Sequence, residues 1–137
     1  MKRQDFRDLA QMRLREAQVL FANGCWSGAY YLAGYAVECA LKACIAKGTK
    51  RFEFPDKERV NSSYTHKLNQ LLRVADLDEP FRKEERNQPQ LAKNWDFVTE
   101  WSEDARYELH SEADATKFLN AVQDRKDGVL QWLKKHW

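Results

Sequence analysis

The chain has 137 residues, with 23 Lys+Arg against 21 Asp+Glu, 43% hydrophobic and 32% charged side chains, and only five Gly and three Pro. These values exclude a disordered or collagen-like chain and a pair of full-sized domains; a formal charge of +2 also excludes the strong field of a tail-driven nucleic-acid binder. Scarce chain breakers and 12% aromatic residues, five of them Trp, predict one soluble domain over residues 1–137 built from long helices.

Residues 3–22 place Phe6, Leu9, Ala10, Leu14, Ala17, Leu20 and Phe21 at spacings of three and four, with Arg7, Arg13, Arg15 and Glu16 between them. This is an amphipathic helix with one buried stripe, closed by Asn23-Gly24. The next helix, residues 26–47, is apolar or small on every face in its first half, as expected of a helix surrounded by neighbours. Gly28 and Gly34 each cost roughly 1 kcal/mol relative to Ala inside a helix, so close packing is the expected compensation. Gly48 ends it, and residues 49–63, with Phe52, Phe54 and Pro55, read as a connection.

Thr65 is placed to cap a helix running through His66-Lys67-Leu68, with Leu68, Leu71, Leu72 and Val74 or Ala75 as its apolar face. Residues 76–79 turn the chain, and residues 79–89, almost all charge, read as a short exposed helix or a loop. A helix over residues 90–103 buries Leu91, Trp95, Val98 and Trp101. Ser111 with Asp114 resembles a capping box and opens a last helix expected to run unbroken to the end of the sequence. Its stripe is Ala115, Phe118, Leu119, Val122, Val129, Trp132 and Leu133. No period-two stretch competes, so the expected class is all-α, an up-and-down bundle of four main helices plus a short extra one.

Several functions lack their signatures. Met1 to Asp5 runs straight into charged helical sequence, so no signal peptide is expected. The apolar stretch from Gly24 to Val37 is shorter than the ~20 residues of a membrane span, and Glu38 and Lys42 follow it. Three cysteines, with Cys39 and Cys44 five apart, suggest neither a disulfide framework nor a zinc site but free thiols in a cytoplasmic protein. There is no phosphate-binding glycine loop, serine nucleophile elbow or HExxH motif. No cofactor and no metal are therefore expected. Residues 1–50 hold eight Lys+Arg against four Asp+Glu. Arg3, Arg7, Arg13 and Arg15 on the first helix are either a modest basic stripe for phosphates or an acidic partner, or a solvated helix face.

Tyr31-Leu32-Ala33-Gly34-Tyr35-Ala36-Val37-Glu38-Cys39-Ala40-Leu41-Lys42-Ala43 resembles the second-helix signature of HEPN domains. In the same order, Thr65-His66-Lys67-Leu68 followed by Leu71-Leu72 resembles that family's tHdL helix start, and Trp101 to Arg106-Tyr107 its W…RY segment. The resemblance implies a helical bundle that often forms homodimers and acts in RNA biology. Family members are ribonucleases of toxin–antitoxin and defence systems, or partners of small nucleotidyltransferases. Its nucleolytic members carry Arg-x(4–6)-His, and two copies of that motif meet across the dimer. Cleavage through the RNA 2′-OH needs a group titrating near neutrality and a cation on the phosphate, and His and Arg supply them.

On that resemblance the candidate catalytic pair is Arg106 and His110, here separated by three residues rather than four to six. The alternatives are a loop pair of no special function, or Arg106 alone as a phosphate or partner contact. Arg59 and His66 also satisfy the pattern, but between the second and third helices, where the family does not place its site. Glu38 in an apolar helix requires a partner; Lys42 at i+4 is one, and Arg106 or a tyrosine hydroxyl is another. Glu38, Lys42, Tyr107 and His66 complete the candidate set as supporting or binding residues, with His66 otherwise a capping or core histidine. Expected partners are a second copy of the chain, RNA or a nucleotide, and a nucleotidyltransferase; no membrane is expected. The aromatic tail from Trp132 to Trp137 packs either across a dimer interface or over the bundle itself.

Overall fold

A computed structural model of the chain describes residues 1–49 and 57–137. The class is all-α: the described residues form helices α1 (Arg3–Ala22), α2 (Trp26–Gly48), α3 (Lys57–Ser62), α4 (Leu68–Val74), α5 (Asp78–Asn87), α6 (Pro89–Val98), α7 (Glu112–Gln123) and α8 (Val129–Lys134). A 3-10 helix, Glu103–Tyr107, lies between α6 and α7, and no strand occurs among the described residues. Phe52, Phe54 and Pro55 of the expected connection lie outside the described residues.

α1 and α2 pack along each other and make the most extensive helix–helix contact of the fold. Gly24 takes a left-handed φ of 76°, and the amides of Gly24 and Cys25 donate to Phe21 O and Leu20 O at 3.1 and 2.9 Å. That pairing satisfies the last carbonyls of α1 and reverses the chain within three residues. α2 then runs through the middle of the molecule, touching α1, α4, α7, α8 and the 3-10 helix. Its Ala29, Ala33, Ala36, Ala40 and Ala43 are all but fully buried. The small residues do admit close neighbours. A Cβ on Gly34 would stand 2.2 Å from Trp101 Nε1, and one on Gly28 3.1 Å from Leu20 Cδ1.

Helix ends depart from the sequence expectation where side chains rewrite the backbone hydrogen bonding. Thr65 Oγ1 accepts from the amide of Lys67 at 3.2 Å, a local turn that delays the start of α4 to Leu68. The charged stretch after residue 78 is a helix, α5, that buries one side chain, Phe81, against Trp95 and Trp132 at 5.5 and 5.4 Å between ring centroids. Trp101 is buried as expected, but beyond the end of α6. The last helix is two helices. Asp124 Oδ2 accepts from the amides of Lys126 and Asp127 at 3.1 and 2.8 Å, a turn that competes successfully with continuing the helix. A Cβ on Gly128 would meet Asp124 O at 2.4 Å, so glycine is required for the turn to close. Val129, Trp132 and Leu133 are nonetheless buried, because α8 folds back onto α2, α6 and α7.

Candidate functional site

Glu38 is the one buried charged or polar side chain recorded among the described residues, 2% exposed on the central helix. Burying a carboxylate without partners is expensive. Lys42 Nζ, one turn on, donates to its Oε2 at 3.4 Å, and His66 Nδ1 lies 2.9 Å from its Oε1. The other face of the His66 ring continues the chain of polar groups: Nε2 is 3.4 Å from Glu103 Oε2 at the start of the 3-10 helix. One imidazole therefore ties α2, the approach to α4 and the 3-10 helix together. Arg106 and the tyrosine hydroxyls, considered from sequence as partners of Glu38, are not among its recorded contacts; His66 takes that place. Beside it, burial first and then the Glu38 carboxylate push the Cys39 thiol up to about 11.

His110 lies in a second cluster. Its ring stacks on Tyr30 at 3.6 Å between centroids and 15° between planes, and its backbone amide donates to Ser27 Oγ at 2.9 Å. Nε2 faces Glu108 Oε1 at 3.0 Å and Nδ1 faces Asp114 Oδ2 at 3.6 Å. Both ring nitrogens are thus turned to carboxylates of the chain. Burial, with Glu108, Glu100 and Asp114 nearby, pushes the Tyr30 hydroxyl up to about 12. It is therefore a neutral phenol across the physiological range, a stacking platform for His110 rather than a base.

Arg106 sits at the end of the 3-10 helix, exposed, with its guanidinium 5.1 Å over the ring of Tyr107. Tyr107 is 78% exposed and Leu109 94%. Residues 108–111 run between the 3-10 helix and α7, so Arg106 and His110 are not on one continuous helix face. The six candidates fall into three settings: Glu38, Lys42 and His66 together; His110 on Tyr30; Arg106 with Tyr107 at the surface. Glu103, Glu108, Asp114, Tyr30 and Ser27 complete these settings and were not singled out as site residues from sequence. Glu103, Tyr30 and Ser27 are distant in sequence from the histidines they touch, whereas Glu108 and Asp114 lie two and four residues from His110, and the amide of Asp114 also donates to Ser111 Oγ at 3.1 Å.

Three of the four arginines of α1 are engaged by this chain's own groups, and Arg15 is exposed. Arg3 donates to the carbonyl of Trp137, and Arg7 lies 5.2 Å over the Trp137 ring, which is buried against this chain's own helices. Arg13 pairs with Glu16 at 2.7 Å and lies 5.8 Å over Tyr35. Among the described residues, one surface groove of about 660 Å³ lies between α6 and α7, lined by Lys93, Asn94, Phe97, Lys117 and Asn120, and a smaller apolar one lies between α1 and α2, lined by Arg15, Val19, Leu20 and Leu32. None of the six candidates lines either. Among the described residues no group of three or more His, Cys, Asp or Glu is placed to hold a metal ion, and no helix is long and apolar enough to cross a membrane.

Compared with known proteins, residues 4–136 match a family model described as the HEPN domain. No curated protein and no solved structure matches significantly.

Proposed function

The chain belongs to the HEPN domain family of helical modules related to RNA and nucleotides, and from that premise we propose that it contacts RNA through the Arg106–Tyr107 surface, as a homodimeric component of a toxin–antitoxin or defence-type system. The observation that carries this reading is the exposed pair itself. Arg106 offers a planar cation for a phosphate, and Tyr107, 78% exposed, offers an open ring face for a base. Their position is set by a firmly packed anchor, since Ala105 and Trp101 of the same segment are both 2% exposed. Should cleavage accompany binding, Arg106 would hold the scissile phosphate and His110 would move the proton of the 2′-OH without a metal, after Glu108 or Asp114 had turned away from the ring.

The test is RNA affinity and RNA degradation by the purified protein in EDTA. Tyr107→Ala is expected to weaken binding of a single-stranded oligoribonucleotide by about 1–3 kcal/mol, the worth of one stacked base, with the thermal midpoint unchanged because the ring is exposed. Equal affinity in Tyr107→Ala, Arg106→Ala and the parent chain would overturn the reading. Degradation that survives His110→Ala would remove that residue from any cleavage step.

A second reading is favoured by Leu109, 94% exposed two residues from Tyr107. Adjacent exposed apolar side chains suit a protein partner such as a small nucleotidyltransferase, bound without turnover. It predicts a hetero-complex that survives size exclusion on co-expression and dissolves with Leu109→Asp. The homodimer is tested separately by light scattering, where a mass of only ~16 kDa across micromolar concentrations would remove it.

A further inference from the structure

We propose that Glu38, His66 and Glu103 form a protonation-dependent tie that positions the 3-10 helix carrying Arg106 and Tyr107. This rests on the reading above only for its functional consequence; the tie itself stands on geometry. Glu103 begins the 3-10 helix and Tyr107 ends it, so a restraint on one end orients the other. His66 is 44% exposed and meets a buried carboxylate on one side and a half-exposed one on the other, at 2.9 and 3.4 Å.

The two protonation states of the ring act differently on these neighbours. The imidazolium donates from both nitrogens, one to Glu38 and one to Glu103. The neutral ring has a single N–H, and Glu38 keeps it, because a carboxylate 2% exposed loses more by going without a donor than one 44% exposed. The lone pair of Nε2 then faces the Glu103 carboxylate, which turns to water and loosens the first turn of the 3-10 helix, while Ala105 stays packed. The tie is therefore made while the ring carries its second proton and lost when that proton leaves, so it weakens in the direction of rising pH.

The remaining charges near His66 leave this sign unchanged. From α2, Lys42 compensates Glu38 at 3.4 Å. From α1, Arg13 lies over Tyr35, one turn before Glu38, and is itself paired with Glu16. On the ring's own segment Lys67 is exposed, and Asp104 beside Glu103 is exposed and directs its backbone amide to Ser102 Oγ. Glu38 and His66 are positioning residues, acting on Arg106 and Tyr107 through the segment they hold.

The experiment is hydrogen exchange of the full chain from about pH 5 to about pH 8, read as protection factors corrected for intrinsic rates. Protection of the amides of residues 103–107 is expected to fall by about two- to fivefold as pH rises, the range of an exposed ion pair, while protection in α7 stays level. Glu103→Gln, whose amide donates to the neutral ring, and His66→Gln, which keeps a donor for Glu38 but does not titrate, are both expected to abolish the step. A flat profile in the parent chain, or the same step in Glu103→Gln, overturns the tie. A step in exchange without RNA binding at any pH supports the tie and sinks the RNA reading; RNA binding with no step does the reverse.

Discussion

Gly34 and Glu38 lie one turn apart on α2, and each is explained by one contact that no local pattern contains. At Gly34 the missing side chain is replaced by the indole of Trp101. Gly34→Ala gains helix propensity but sets its methyl about 2.2 Å from Trp101 Nε1, so the indole must leave its site. The net expectation is a loss of about 1–3 kcal/mol in a urea melt, the usual cost of overpacking. At Glu38 the expected effect of Glu38→Ala is a loss nearer 3 kcal/mol, because it strips partners from both Lys42 and His66. Lys42→Met, which leaves the shorter His66 contact in place, is expected to cost about 1 kcal/mol in the same melt. If the two variants proved equally destabilising, His66 would not be the principal partner of Glu38.

At the scale of elements, α1 and α2 were legible almost to the residue, α1 from its 3.6-residue period and α2 from its continuous apolar and small run, with a glycine closing each. The second half of the chain was less so. Asp124 looked like any polar residue in a helix, and only its two backbone hydrogen bonds reveal that it breaks α7 from α8. Thr65 was read as a helix cap and instead, three residues before the helix start, accepts from the amide of Lys67 in a local turn. The settings of the candidates had the same limitation. The Glu38–Lys42 pair follows from i,i+4 spacing, whereas His66 meets Glu38 across 28 positions and Glu103 across 37, distances over which a sequence carries no spacing rule. The Asp124 turn makes a prediction at its own scale. Gly128→Ala, with a methyl about 2.4 Å from Asp124 O, is expected to unlock α8 and expose Trp132, read as a red shift of tryptophan emission.

Across the whole molecule, buried acids that must stay neutral set the upper pH limit of stability. Burial pushes the Cys39 thiol up to about 11 and the Cys44 thiol up to about 12, against an ordinary value of 9.0, and the Tyr30 hydroxyl up to about 12 against 10.0. Groups whose acidity is suppressed by folding stabilise the fold fully below their unfolded values and progressively less as pH rises toward the folded ones. Denaturant midpoints are therefore expected to fall from about pH 9 upward; a midpoint level to pH 10.5 would contradict the burial of these three groups. His136, held low by burial and by Lys47 and Lys135, acts at the other limit, and its contribution is lost as pH falls below the ordinary histidine range. The tight turn at Asn23-Gly24 has a bearing of a different kind, on the order of events in folding. It makes the largest interface in the molecule one between immediate neighbours in the chain, closed by a short loop with little entropy to lose. The α1–α2 hairpin can thus assemble early and offer a finished surface, on which the later helices and the two histidine clusters condense.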